Sequence, residues 1–404
     1  MQDQIIDELF TERAKRAKSS VIRDLLKYAS KPGIISFGGG LPDPSLFPVE
    51  RFKECMDIAI IDKFSISLQY GETPGYYPLR ESLVNLSKES GIKDVEVDNV
   101  LVTTASQQAI DFISKIFIEE GDTIIVEAPT YLSAIQSFQA YLPNFVTIPM
   151  DQNGADIDIL EEKLKELRTK NIKPKFFYTI PTFQNPAGVS MSLERRKKLL
   201  NLSKEYGLLL IEDDPYSDLR YKGEKIPSLK ALDDDNNVLS LRTFSKILAP
   251  GIRLGWVTGP KAIIAKINLV KQSADLCTPS ITQVATDEYL RKGYLAPHIE
   301  AIKASYSKKC AIMVESVKKF FPSEVKINVP EGGMFLWAVA PSYLNTIDLF
   351  PEAIEHGIAY IVGSAFYPDG SGTNTMRINF TMVSPEKIVE GIEKFGNLLK
   401  SKIK

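Results

Sequence analysis

At 404 residues the chain is too long for one ordinary domain and fits two, at roughly 100–200 residues each. Apolar residues at 44% and charged residues at 25% fit a soluble globular protein and exclude a disordered or fibrous one. The 49 basic and 51 acidic residues are interspersed and leave a formal net charge of −2. No broad basic field is offered to nucleic acid or an anionic membrane, so an anionic ligand must be caught locally.

The N-terminal stretch MQDQIIDELFTERAKRAKSS is charged, and no apolar run of about 18 residues occurs anywhere, so a cytoplasmic protein without a membrane span is expected. The first 50 residues read as an arm: a polar helix through about Tyr28, then SFGGGLPDPSLFP, whose glycines and prolines forbid a regular element. Through the middle, short apolar runs alternate with longer amphipathic stretches: VLVTT, TIIVEAP, FFYTIP, LLLIEDD, VLSLRT and LGWVTG. This rhythm of strands and helices predicts an α/β domain over residues 51–290, with a doubly wound, mostly parallel central sheet flanked by helices. Both faces of that sheet are expected to be buried, because the runs are continuously apolar. From 291 to 404 a long charged helix, short strands (VKINVP, MFLWAV, AYIVG, MRINFT) and a closing helix predict a smaller α+β domain.

Cys55, Cys277 and Cys310 are odd in number, far apart and in no CxxC arrangement, which suggests buried thiols and neither a disulfide framework nor a zinc site. His298 and His356 sit in no catalytic or metal-binding motif, so no metal is expected.

The chemistry-bearing residues fall just after the strand-like runs, where open α/β sheets bind ligands. VLVTT runs through Ala105, Ser106 and Gln107 into an amphipathic helix. Free amides, the helix dipole and the Ser106 hydroxyl favour an anion there, although an ordinary serine cap would look the same. Tyr131 in EAPTY can lie flat on an aromatic ligand or pack in the core. Asn185 precedes a proline that keeps it extended after FFYTIP, which fixes its amide; an ordinary turn is the alternative. Asp213 ends the run Leu208 to Ile211. A carboxylate leaving a buried strand is costly unless it meets a cation, and a protonated pyridine nitrogen is one such cation. Tyr216 lies three residues on across a proline turn, while Asp214 reads as a solvated turn residue.

The strongest segment is SLRTFSKILAPGIRLGW, residues 240–256. A lone Lys246 would read as a solvated loop residue. Thr243, Ser245 and Arg253 supply hydroxyls and a bidentate guanidinium suited to a phosphate, and a partly desolvated lysine beside them is ready to form an imine.

These residues, in this order over nearly the whole chain, resemble the class I/II aminotransferases of fold type I. The resemblance implies pyridoxal 5'-phosphate as cofactor, with Lys246 as catalytic lysine carrying it as a Schiff base and moving the substrate proton. It gives Asp213 the pyridinium nitrogen, Asn185 and Tyr216 the ring hydroxyl, and Tyr131 the stacking position. Ser106, Gln107, Thr243, Ser245 and Arg253 would form the phosphate cup. Tyr70 in LQYGETPGYY would reach the neighbouring subunit's phosphate site, which implies a homodimer with shared active sites, and Arg377 in MRINF would bind the substrate α-carboxylate, with Asn185 nearby. SSVIRDLLKYASKPGIISFGGGLPDPSLFP resembles the arm of the 2-aminoadipate and kynurenine/aromatic branch, where Gly40 lies beside the substrate and Arg23 would read a side-chain carboxylate. The expected reaction is ping-pong transfer of an amino group from 2-aminoadipate or an aromatic, branched or apolar amino acid to a 2-oxo acid, with 2-oxoglutarate as acceptor.

The nearest rival keeps the cofactor and eliminates at a carbon–sulfur bond. A regulator with a degenerate aminotransferase domain would need a winged helix ahead of the arm motif, which starts before residue 30. A dinucleotide-binding dehydrogenase is disfavoured because SFGGGLP leads into DPSLFP and not into a helix.

Overall fold

The structure, a computed structural model, describes residue 6, residues 8–16 and residues 33–403. After a short helix, Glu12–Arg16, comes strand β1 (Ile35–Ser36), and the main sheet is then built from β2 (Val100–Thr103), β3 (Thr123–Ala128), β4 (Asn144–Asp151), β5 (Gly154–Ala155), β6 (Phe176–Thr179), β7 (Leu209–Asp213), β8 (Val238–Thr243) and β9 (Gly255–Thr258). Their spatial order is β2-β9-β8-β7-β6-β3-β4-β5. The pairs from β4 through β3, β6 and β7 to β8 are parallel, and β9 and β5 run against them. A doubly wound, mostly parallel sheet is what the alternating apolar runs predict.

Burial follows the side-chain alternation of a strand. Ile125, Phe177, Leu210 and Val238 pack on one face with Leu160, Leu164 and Leu199 of the helices Ile157–Thr169 and Leu193–Tyr206. Val126, Tyr178, Ile211 and Leu239 turn to the other face and join the larger core. Each such side chain, fully withdrawn from water, contributes roughly 1.5–3 kcal/mol. Two local signals bound the helix Leu193–Tyr206 before it leads into β7: Ser192 caps its start, and Gly207 closes it at φ 59°, in the left-handed region.

A four-stranded antiparallel sheet follows in the order β10-β11-β14-β13, from β10 (Lys326–Ile327), β11 (Phe335–Val339), β13 (Ile361–Val362) and β14 (Thr375–Asn379). The long helix Leu295–Phe320 and the closing helix Pro385–Lys402 flank it, as the sequence predicts. Strand β12 (Ile358–Ala359) pairs in parallel with β1, so the glycine-rich segment is tied to this smaller unit: Phe37 N donates to Ala359 O and Asn379 N to Phe37 O, both at 2.8 Å.

Three expectations need correcting. The segment SFGGGLPDPSLFP does carry regular structure, since Ser36 belongs to β1 and Pro44–Leu46 form a single 3-10 turn capped by Asp43. Asp214 is buried: the turn at Pro215 folds it back to accept from Ser217 N (3.1 Å) and Ser217 Oγ (2.7 Å), with Arg242 Nε 3.8 Å away. Cys277 is only half-buried, unlike Cys55 and Cys310.

Candidate active site

Because β2, β3, β6, β7 and β8 run the same way, their carboxyl ends meet along one edge of the sheet, and a cavity of about 350 Å³ opens there. Ser106 and Gln107 enter it after β2, Tyr131 after β3, Asn185 after β6, Asp213 and Tyr216 at and beyond β7, and Thr243, Ser245 and Lys246 at and beyond β8. Arg253 comes from the turn before the antiparallel β9, and Arg377 from the middle of β14. Gly40 approaches from the glycine-rich segment. Twelve residues singled out in the sequence therefore converge. Tyr70 does not line the cavity and is 80% exposed, and Arg23 lies outside the described residues.

One wall is built for an anion. The helix Ala105–Phe117 begins at the cavity, so the N–H groups of its first turn face it without helical partners. The sequence places a glycine where β9 must pass this turn: a Cβ at Gly255 would stand 2.8 Å from Ser106 N and 2.7 Å from Arg242 O. Ser245 N donates to Thr243 Oγ1 (3.1 Å), which fixes both hydroxyls beside the helix start. Arg253 occupies the left-handed region at φ 52°, lines the same cavity and donates from Nη1 to Pro250 O at 3.2 Å.

The floor holds opposite charges. Asp213 is 2% exposed. Its Oδ2 accepts from the Tyr178 hydroxyl at 2.6 Å, while its Oδ1 has no hydrogen-bond partner among the described residues. Burial pushes the carboxyl up to about 7, helped by Asp214 and Glu127 and opposed by the Tyr178 hydrogen bond and by Lys246. Burial also pushes the Lys246 amine down to about 8, with Arg377 and Arg253 adding repulsion and Asp213 resisting; Nζ donates to Gly40 O at 2.8 Å.

Arg377 is held across the small sheet by Trp337 and Ile361, its partners in the two neighbouring strands. Its Nη1 donates to Asn185 Oδ1 and its Nη2 to Gly38 O, both at 2.8 Å, and the Phe335 ring lies 4.2 Å beneath it. Among the described residues no carboxylate pairs with it, Nε is unpartnered, and burial draws its pKa down to about 10. A buried guanidinium without an anion is an open seat for a ligand carboxylate. Asn185 Nδ2 lies 3.5 Å from the Tyr216 hydroxyl, whose ionisation burial suppresses.

Residues the motifs did not reveal complete the cavity: Tyr178 behind Asp213, and the apolar Leu41, Phe335, Ile361 and Phe366 on the side of the small sheet. The loop after Asn185 passes close to β11 at Gly188, at φ 70°, where a Cβ would stand 2.6 Å from Phe335 O. Among the described residues no cluster of His, Cys, Asp and Glu is arranged to hold a metal, and no helix is long and apolar enough to cross a membrane.

Residues 37–395 match the family model "Aminotransferase class I and II". The chain is 44% identical over 398 residues to aromatic-amino-acid aminotransferase 1 of Thermococcus litoralis, covering 98% of this chain and 95% of that protein. It is 39% identical over 396 residues to the 2-aminoadipate transaminase of Thermus thermophilus, covering 97% of each. The crystal structure of Pyrococcus horikoshii kynurenine aminotransferase, solved with PMP, kynurenine as substrate and KYA as product, superposes with a TM-score of 0.96 at 44% identity over 100% of both chains. On its sequence, its sheet order and the contents of its cavity, the chain belongs to the class I and II aminotransferases, with their fold-type I architecture.

Proposed function

We propose that this aminotransferase uses pyridoxal 5'-phosphate held on Lys246 to move amino groups from aromatic amino acids, 2-aminoadipate and apolar amino acids to a 2-oxo acid, with 2-oxoglutarate as acceptor. The observation that carries this reading is the buried Asp213 Oδ1, unpartnered among the described residues, on a residue that lines the same cavity as Lys246 and Arg377, whose guanidinium meets no carboxylate among the described residues. The pyridoxal ring and phosphate fit what is left unsatisfied: a ring N–H for Oδ1, and an anion for the helix start with Ser106, Thr243, Ser245 and Arg253. When bound, the cofactor supplies an electron sink for the charge that develops at the substrate Cα.

The chain's own groups do the rest. Asp213 keeps a ring nitrogen protonated by placing negative charge beside it. Tyr131, with Gln107 next to its hydroxyl at 3.4 Å, would stack on the ring, and Asn185 and Tyr216 would hold the ring hydroxyl. Arg377, with Asn185, takes the α-carboxylate in place of Gly38 O and so orients the Cα–H toward Lys246. Nζ, with its lowered affinity for a proton, then takes that proton as base and returns it as acid. Leu41, Phe335 and Ile361 suit an aromatic or aliphatic side chain, in keeping with the substrates that name the relatives.

We further infer three units, an arm over 1–50, a large domain over 51–290 and a small domain over 291–404, and a homodimer in which Tyr70 completes the neighbouring site. Supporting the last point, Tyr70 is exposed, as are the apolar side chains of Ile61, Phe64 and Leu68 just before it in the chain, which a monomer would leave in water.

The test is a panel of donors with and without 2-oxoglutarate. Continuous formation of the donor's 2-oxo acid is expected only with acceptor present; without it, product stops at about one equivalent per site, as ping-pong chemistry requires. Continued 2-oxo acid release without acceptor would instead identify β-elimination at a carbon–sulfur bond. In the same panel, Arg23→Ala is expected to lower kcat/KM for 2-aminoadipate and glutamate about ten- to a hundredfold and leave leucine and phenylalanine within about threefold. Equal losses for both groups would show that Arg23 does not read the side chain.

A further inference from the structure

The Asp213 carboxylate stands between two different environments. Asp213 lines the cavity with its Oδ1 buried and without a hydrogen-bond partner among the described residues, while its Oδ2 is bonded to Tyr178 on the neighbouring strand. Tyr178 is fully buried on β6, the strand beside β7. Its register partner is Ile211, so it shares a sheet face with Ile211 and, two residues further along β7, with Asp213. That geometry lets a phenol reach forward exactly one side-chain period. The Phe138 ring packs edge-on at 5.4 Å and leaves the Tyr178 ring little freedom to turn. Burial and the neighbouring Asp213 charge keep the phenol's pKa well above its ordinary value, so it retains its proton and is the donor.

A charge-assisted O–H···O⁻ bond in a dry site is roughly twice as strong as a neutral one. Here it has a direction as well as a strength. With Oδ2 pinned, the carboxylate cannot rotate both oxygens toward the strand, and Oδ1 is left without a partner among the described residues. We propose that Tyr178 is a positioning residue for this reaction: its hydroxyl holds one oxygen of Asp213 so that the other stays ionised and fixed against a protonated ring nitrogen. The proposal rests on the assignment of Asp213 as the partner of the cofactor ring.

The surrounding charges make the hydroxyl matter. Asp214, the residue after β7, and Glu127 on β3 oppose ionisation of Asp213, and Lys246 beyond β8 favours it. Tyr131, Tyr216 and Arg377 line the same cavity. Tyr178 is the one of these groups that favours the carboxylate through a direct hydrogen bond at 2.6 Å.

The experiment is the affinity of the full chain for pyridoxamine phosphate as a function of pH, in the wild type, Tyr178→Phe, Asp213→Asn and the double variant, beside the pH profile of kcat/KM. Pyridoxamine phosphate needs no covalent attachment, so its affinity reads ring contacts directly. Tyr178→Phe is expected to weaken binding about tenfold at neutral pH and to move the acid limb of both profiles up by about one pH unit, since Asp213 then keeps its proton longer. Once Asp213 is Asn, removing the hydroxyl should produce no further shift of the limb. An unshifted acid limb in Tyr178→Phe, with or without a uniform loss of affinity, overturns the role of Tyr178 while Asp213→Asn remains weak. Wild-type affinity and pH dependence in Asp213→Asn overturns the underlying assignment of Asp213 instead.

Discussion

Replacing Lys246 with alanine is expected to lower kcat by about a thousand- to ten-thousandfold, the scale of a lost general acid–base that also anchors the cofactor. The position explains the size of the effect. Lys246 follows β8 at the meeting point of five strand ends, and its amine is drawn down to about 8 by burial first and then by Arg377 and Arg253. The fraction of neutral amine therefore rises with pH through about 8, and so should the rate of proton removal while the other groups hold their charges. Among the described residues no second lysine lines the cavity to take over. The measurement pairs steady-state turnover with borohydride reduction and peptide mapping: cofactor should be fixed on the peptide containing Lys246 in the wild type and on none in the variant. Covalent fixation that survived in Lys246→Ala, or turnover within about tenfold of wild type, would place the chemistry on another residue.

Much of this site was legible because the fold turns linear order into spatial order. A parallel sheet collects the residues that follow its strands at one edge, so Ser106, Tyr131, Asn185, Asp213 and Lys246, each just past an apolar run, had to meet. The burial of β2, β6 and β8 on both faces was legible for the same reason, since their runs are unbroken. What escaped the sequence depends on register or on edges. Tyr178 was visible as part of FFYTIP, but only the pairing of β6 with β7 shows that it faces Asp213. Strand β4, NFVTIPMD, is at least partly exposed everywhere except at Ile148 and contains Pro149, which has no N–H to give a sheet; it lies next to the short edge strand β5, where a proline is tolerated. Asp214 looked like a solvated turn residue because nothing local shows Arg242, which reaches it from a neighbouring strand.

Replacing Asp213 with asparagine is expected to separate catalysis from stability. Breaking a buried charge pair by removing one partner costs about 3–5 kcal/mol, so kcat/KM should fall by about a hundred- to a thousandfold, as the amide cannot hold a proton on the ring nitrogen. The cofactor-free protein should move the other way. Burial raises the folded carboxyl from 3.8 to about 7, which means that the folded chain binds a proton the unfolded chain has already released. Stability from this group is therefore fully present below about 3.8, falls as pH rises toward about 7, and above that the full cost of an unpaired buried anion remains. Asparagine has no such charge to bury. Cofactor-free Asp213→Asn should accordingly melt a few degrees higher than the wild type above about pH 7, and the difference should close on acidification. Melting curves across pH, taken with and without pyridoxal phosphate, check both halves: the cofactor should reverse the order by stabilising the wild type more than the variant. A variant that melts lower at every pH without cofactor, or that turns over at the wild-type rate, would show that Asp213 is held by the fold and not kept ready for a cationic ring.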